Sequence, residues 1–202
     1  MDIESVYGNL PTLETARLTL RKITLEDVEE MHSYASNEEV SKYVTWQTHN
    51  TLYDTKEFIQ YVLSQYENKK VAPWGIEYKE NGKFIGTIDF VSWSLKHQVA
   101  EIGYVLSQEY WGKGIVTEAA NELITYGFNN MELVRIQARC FVENVGSARV
   151  MEKIGMSYEG TIRKGWKLES GEHQDIKLYS ILKEEHSSLH NTIKASNLNG
   201  QS

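Results

Sequence analysis

Polar and apolar residues alternate from Arg17 to Ile23, with Leu18 and Leu20 on one side, and Thr24-Leu25-Glu26-Asp27 follows as an N-cap with acids in the first turn. The pattern predicts a strand leading into a helix. After an irregular stretch holding Tyr43, Trp46 and His49, Asp54 is placed to cap a second helix, whose Phe58, Ile59, Val62, Leu63 and Tyr66 recur at helical spacing. Trp74 to Tyr78, the Asn81-Gly82 turn and Phe84 to Trp93 predict a β-hairpin, because Asn-Gly accommodates the positive φ of tight turns. Val99 to Leu106 predicts another strand. The clearest helix runs from Ile115 to Phe128, where Val116, Ala119, Ala120, Leu123, Ile124 and Phe128 form one stripe suited to packing on a sheet. Leu133 to Val142 alternates again, Asn144 opens a short helix ending near Ile154-Gly155, and Tyr158 to Leu168 and Asp175 to Leu182 predict two closing strands. The order is mixed α/β.

The 202 residues, 41% hydrophobic and 24% charged, suffice for one core and exclude a collagenous or wholly disordered chain. We expect an extension over 1–14, one domain over 15–185, and a flexible polar tail over 186–202, which is too poor in apolar residues to offset ordering entropy. The formal net charge of −7 disfavours a broad footprint for nucleic acid or an anionic membrane and leaves room for an amine-bearing partner. A single cysteine, Cys140, excludes an intrachain disulfide. No Cys/His spacing resembles a metal site, so no metal is expected. With neither a signal pattern nor a long apolar run, the expected address is cytoplasmic.

The most informative segment is Tyr110-Trp111-Gly112-Lys113-Gly114-Ile115-Val116-Thr117-Glu118, where two glycines lie between a strand and the best helix. Glycines there let backbone N–H groups approach a ligand, and a helix start adds unpaired donors and partial positive charge, a combination suited to phosphate. A plain tight turn entering a helix gives the same letters. A dinucleotide fingerprint would need glycine at Thr117, and a P-loop would need two glycines separated by four residues with Lys-Ser/Thr after the second. Both fail, which leaves a different pyrophosphate-bearing ligand.

With Ala100-Glu101-Ile102-Gly103-Tyr104 before this turn, Thr117-Glu118-Ala119 after it, and Asn144-x-x-Ser147 with Glu152-Lys153-Ile154-Gly155 beyond, the chain resembles the GCN5-related N-acetyltransferase superfamily. Within it, the pattern is similar to the branch of the ribosomal-protein N-terminal acetyltransferases RimJ and RimL. The resemblance spans about Thr15 to Leu182 and implies a mixed, mostly antiparallel central sheet flanked by helices, with acetyl-CoA as donor. It places the pantetheine arm against the strand bearing Tyr104, Val105 and Leu106 and the pyrophosphate on Trp111, Gly112, Lys113, Gly114, Ile115 and Val116. Asn144 would hydrogen-bond the arm and Ser147 would face the thiol. Asn144 also reads simply as an N-cap, and Ser147 as a local backbone partner.

Acetyl transfer needs a neutral amine, a stabilised oxyanion and a tolerated thiolate. Glu101 shares a strand face with Val99, Gly103 and Val105, where partial burial suits a base; it also reads as an exposed charge on an amphipathic strand. N–H groups around Val105 and Leu106 are the expected oxyanion donors. The family's phosphate pattern, Arg/Gln-x-x-Gly-x-Gly/Ala, falls on Glu109 to Gly114, with Glu109 replacing the basic or amide residue. Many members carry a tyrosine acid where Met151 stands, which shifts weight to Ser147 or to unaided thiolate departure. Cys140 could relay acetyl as a thioester, but its mid-strand place fits a buried structural thiol better. Trp46 is the expected acceptor-side residue. The resemblance points to a protein N-terminal α-amine, such as that of a ribosomal protein, with a polyamine, aminoglycoside or similar small amine as runner-up and a non-catalytic CoA sensor as the reading from another class. A homodimer is compatible with it.

Overall fold

The computed structural model describes residues 3–168 and 170–188. In chain order it contains α1 (Ile3–Tyr7), β1 (Leu13–Glu14), β2 (Leu18–Arg21), a 3-10 turn (Leu25–Asp27), α2 (Val28–Ala35), α3 (Glu38–Ser41) and α4 (Leu52–Glu67). Then come β3 (Trp74–Tyr78), β4 (Lys83–Ser94), β5 (Val99–Leu106), a second 3-10 turn (Gln108–Tyr110), α5 (Ile115–Asn130), β6 (Arg135–Phe141), α6 (Val145–Lys153), β7 (Ser157–Lys167) and β8 (His173–Leu182).

Local chemistry accounts for most boundaries. Thr24 and Asp27 form a reciprocal capping box, as the letters suggested. At α4 the expected cap, Asp54, is corrected to Thr51. Asp54 is the third helical residue of that box, and its carboxylate accepts from the amides of Asn50 and Thr51 at 2.9 Å each. Residues before 15 are not free of the core, since Val6, Tyr7 and Leu10 are buried in it. The expected tail lies mostly outside the described residues, and its first residue, His186, is buried.

The eight strands form one sheet in the order β1-β2-β3-β4-β5-β6-β8-β7. Every pairing is antiparallel except β5 with β6, which run parallel and pair only over Val99–Glu101 against Arg135–Gln137. Beyond those three pairs the strands part, leaving a wedge-shaped gap in the middle of the sheet. Helix α5 packs one face closely: a Cβ on its Gly127 would stand 2.8 Å from the Phe90 ring and 3.1 Å from Ile136, so only glycine fits. On the other face, Thr87 of β4 and Val105 of β5 meet Met31, Tyr34 and Ala35 of α2 and Phe58 of α4. Among the described residues, no helix is long and apolar enough to cross a membrane.

Candidate active site

The gap exposes backbone. Ser107 donates its amide to Ile85 of β4 at 2.8 Å, while the Gln98 carbonyl accepts from Val134 on the β6 side at 2.9 Å. Strand alternation therefore turns the peptide groups of Tyr104 and Leu106 into the gap and those of Val105 toward β4. Sequence reasoning expected Val105 to supply an amide; it supplies a side chain on the α2/α4 face instead. The indole N–H of Trp111 caps the Leu106 carbonyl at 2.8 Å, which ties the turn to the strand end.

The turn itself is built from two left-handed glycines, Gly112 (φ 73°) and Gly114 (φ 72°), the latter being the N-cap residue of the 16-residue α5. A Cβ on Gly112 would meet nothing within 4 Å, and its amide has no hydrogen-bond partner among the described residues. Helix start, bare glycines and strand gap together fit an extended chain ending in a diphosphate. Lys113 lies with its ammonium 5.2 Å from the Tyr110 ring centre. Glu109, the residue at odds with the family pattern, is exposed in the preceding 3-10 turn.

A cation that no local motif singles out also reaches the turn. Arg17, from the segment before β2, donates Nη1 to the Lys113 carbonyl at 3.0 Å and Nε to Glu118 at 2.6 Å, and its Nη2 lies 3.7 Å from where a Gly114 Cβ would be. Glu118 also accepts from Thr15 Oγ1 at 2.6 Å and the Arg17 amide at 2.8 Å. Burial opposes its charge, but these donors hold the carboxyl below the ordinary range. Glu118 is thereby matched, and Arg17 sits beside the open amides.

At the other wall, Asn144 caps α6 by accepting the Ser147 amide at 3.0 Å, so its helix-cap role is met. The Ser147 hydroxyl lies 2.9 Å from the Tyr104 hydroxyl, joining α6 to β5. Burial raises the Tyr104 phenol well above its usual value, and the hydrogen bond with Ser147 opposes this only in part. Cys140 is buried and its thiol is likewise pushed up by burial, which leaves little thiolate for an acetyl relay. Met151 is buried in the core.

The profile of the acetyltransferase (GNAT) domain family matches residues 17–157. The chain belongs to the GNAT acetyltransferase family. It is 36% identical over 173 residues to "Uncharacterized N-acetyltransferase YoaA" of Bacillus subtilis, covering 86% of this chain and 97% of that protein. A crystal structure of a GNAT-family acetyltransferase from Bacillus anthracis superposes with a TM-score of 0.77 at 34% identity, covering 86% of this chain and 99% of that one. The Microcin C7 self immunity acetyltransferase MccE, solved in complex with acetyl-CoA and AMP, superposes with a TM-score of 0.74 at 29% identity, over 83% and 93% of the two chains. Acetyl-CoA is the donor for this acetyltransferase.

On the α2/α4 face of the acetyltransferase, Glu101 is buried and both its oxygens are engaged, Oε1 by Arg139 Nε at 2.7 Å and Oε2 by Gln137 Nε2 at 2.9 Å. Asp89, which sequence reasoning passed over, is half-buried on the same face opposite Gly103. Burial pushes its carboxyl up to about 7. Trp46 borders both a small recess with Thr87, Val105 and His49 and an open trough of about 680 Å³ lined by Glu38, Glu39, Lys42, Gln47 and Asn50. His49 is held by Thr55, whose buried hydroxyl lies 2.9 Å from His49 Nδ1 and 3.0 Å from His32 Nδ1. Burial lowers the His49 pKa, with the nearby Asp54 charge partly opposing that. Among the described residues no group of three His, Cys, Asp or Glu side chains is arranged to hold a metal.

Proposed function

We propose that this acetyltransferase moves acetyl directly to a primary amine in a ternary complex, and that its preferred acceptor is the α-amine at the N-terminus of a protein or peptide. The trough beside Trp46 carries this reading: it is open and largely polar, so a chain end can enter while the rest of the polypeptide stays outside. An α-amine, with a reference pKa of about 7.8 against about 10.4 for lysine, also arrives more often neutral. A 38% identical relative over 121 residues, 60% of this chain and 64% of that protein, is the "Putative ribosomal N-acetyltransferase YdaF" of Bacillus subtilis.

In this reading the Tyr104 and Leu106 amides receive the thioester oxygen, preorganised donors being the largest aid to acyl transfer. The diphosphate rests on the amides of Gly112 to Val116 beside Arg17 and Lys113. Ser147, backed by Tyr104, donates a hydrogen bond to the departing sulfur. Glu101, fixed by Arg139 and Gln137, is suited to orienting the incoming amine through a water.

The second reading, a small polyamine acceptor, draws on the acidic rim at Glu38 and Glu39. It also draws on a 26% identical relative over 144 residues, the spermidine N(1)-acetyltransferase of Escherichia coli. Thiol release from acetyl-CoA across N-terminal peptides, spermidine and aminoglycosides separates the readings. Higher kcat/KM for peptides is expected; turnover of spermidine alone would replace the first reading with the second, and donor binding without any turnover would leave a sensor.

A further inference from the structure

We propose that Asp89, on β4, is the carboxylate that meets the acceptor amine and takes its proton during acetyl transfer. The proposal rests on the direct-transfer reading above and names the base within it. Asp89 pairs with Gly103 across the β4–β5 ladder, and its Oδ1 lies 3.4 Å from where a Gly103 Cβ would stand. The carboxylate therefore leans over bare backbone toward the gap, and Gly103 is the residue that separates it from the β5 edge bearing the Tyr104 and Leu106 amides. A side chain at 103 would close that path, since its Cβ would also fall 2.6 Å from Val91.

The neighbours favour Asp89 over Glu101 as proton acceptor. Glu101 and Val105 flank Gly103 on the same side of β5, but the Glu101 oxygens already accept from Arg139 and Gln137. The Asp89 carboxylate has no hydrogen bond or ion pair among the described residues, and burial is the cause that raises it into the range where a base works near neutral pH. The titratable groups within electrostatic reach are Tyr7 of α1 and Tyr66 of α4, both held protonated by burial. On β5 the nearest charge is Glu101, on the same face one alternate position from Gly103. Thr87, two residues before Asp89 on the same face of β4, opens into the recess shared with Trp46 and His49, so Asp89 stands beside that recess.

The step balances as follows. The acceptor ammonium gives one proton to Asp89, the freed nitrogen lone pair bonds to the thioester carbon, and the carbon–sulfur bond breaks with its electron pair going to coenzyme A sulfur. The nitrogen gives its second proton to water as the amide forms, the sulfur takes the Ser147 hydroxyl proton, and the Ser147 oxygen regains one from that water. The products are the amide, the free thiol and a protonated Asp89 that returns its proton to solvent.

The test compares Asp89→Asn, Asp89→Glu and Glu101→Gln in kcat/KM against pH, with calorimetric acetyl-CoA binding as the control for folding. Infrared difference titration of the whole protein reads the carboxyl without turnover. We expect Asp89→Asn to lower kcat/KM about 100-fold or more with acetyl-CoA affinity unchanged, to abolish the limb rising near pH 7, and to remove a carboxyl band titrating there. Asp89→Glu should restore part of the rate, and Glu101→Gln should keep the limb. If Asp89→Asn binds donor normally and retains the limb, or if Glu101→Gln is the variant that loses it, Asp89 is not the base. If the wild-type protein acetylates no amine of the panel, the direct-transfer reading falls as well, so the two failures are told apart.

Discussion

Replacing Gly112 by alanine separates the needs of the fold from those of the donor. The residue has φ 73° and no atom within 4 Å of the Cβ position, so in the free protein the substitution meets no clash. Its cost is the left-handed backbone, about 1–2 kcal/mol for an L-residue, which for a chain of this size lowers Tm by roughly 2–8 °C. In the complex the new methyl occupies the space from which a phosphate must reach the amide. Losing one charge-assisted hydrogen bond there is worth about 1.5–3 kcal/mol, or roughly 10–150-fold in acetyl-CoA affinity. Gly171→Ala is the matched control, with φ 88°, equally open surroundings and a place in the β7–β8 turn. Both variants should lose similar Tm by calorimetric melting, and only Gly112→Ala should lose affinity by titration calorimetry. Equal affinities in the two variants would refute the assignment of the turn.

Arg17→Gln should weaken acetyl-CoA about tenfold, the low end for a hydrogen bond to a charged group because the side chain is 41% exposed. It should also flatten the salt dependence of binding, measured by titration at two ionic strengths. Ser147→Ala should lower kcat about 10–100-fold while leaving the acetyl-CoA KM nearly unchanged, with Tyr104→Phe giving a smaller loss in the same steady-state assay; an unchanged kcat in Ser147→Ala would remove the donor role. Asp89 has a folded pKa near 7, above its unfolded value of about 3.9, so the fold favours its neutral form. That contribution is fully present below about pH 4 and is lost as pH rises through 7. Asp89→Asn should therefore melt higher than wild type at pH 8 and converge with it near pH 4, and parallel Tm profiles would contradict this.

What the sequence disclosed was local. β5 spans Val99–Leu106 and α5 begins at Ile115, both where the periodicity placed them, because alternation, a stripe and two glycines act within a few residues. The Asn144 cap was legible for the same reason. Thr51 was misassigned although the Thr51-x-x-Asp54 box is a local signal; the acid was given the role of the hydroxyl three residues before it.

Long-range partners were out of reach. Arg17 meets Glu118 across 101 residues, and Tyr104 meets Ser147 across 43. No spacing rule reports such pairs. Asp89 was missed because a lone acid in an apolar strand carries no motif, and its significance comes from standing opposite a glycine beside a gap. Glu101 was found by its motif, but its restraint by Arg139 and Gln137 depends on the short parallel register of β5 and β6. The acetyltransferase family was legible because its three patterns occur in order along one chain. The acceptor was not, since the trough proposed to receive it is lined largely by the stretch between α3 and α4, a region without periodicity.

The account stands on the open amides of the glycine turn and the β5 edge holding acetyl-CoA. Amide-resolved NMR of the labelled protein during acetyl-CoA titration tests this most directly. The amides of Gly112 to Val116, Tyr104 and Leu106 should shift to saturation together, while those of β1 and the β7–β8 turn stay in place. Saturating donor that leaves the 112–116 amides unmoved would contradict the account.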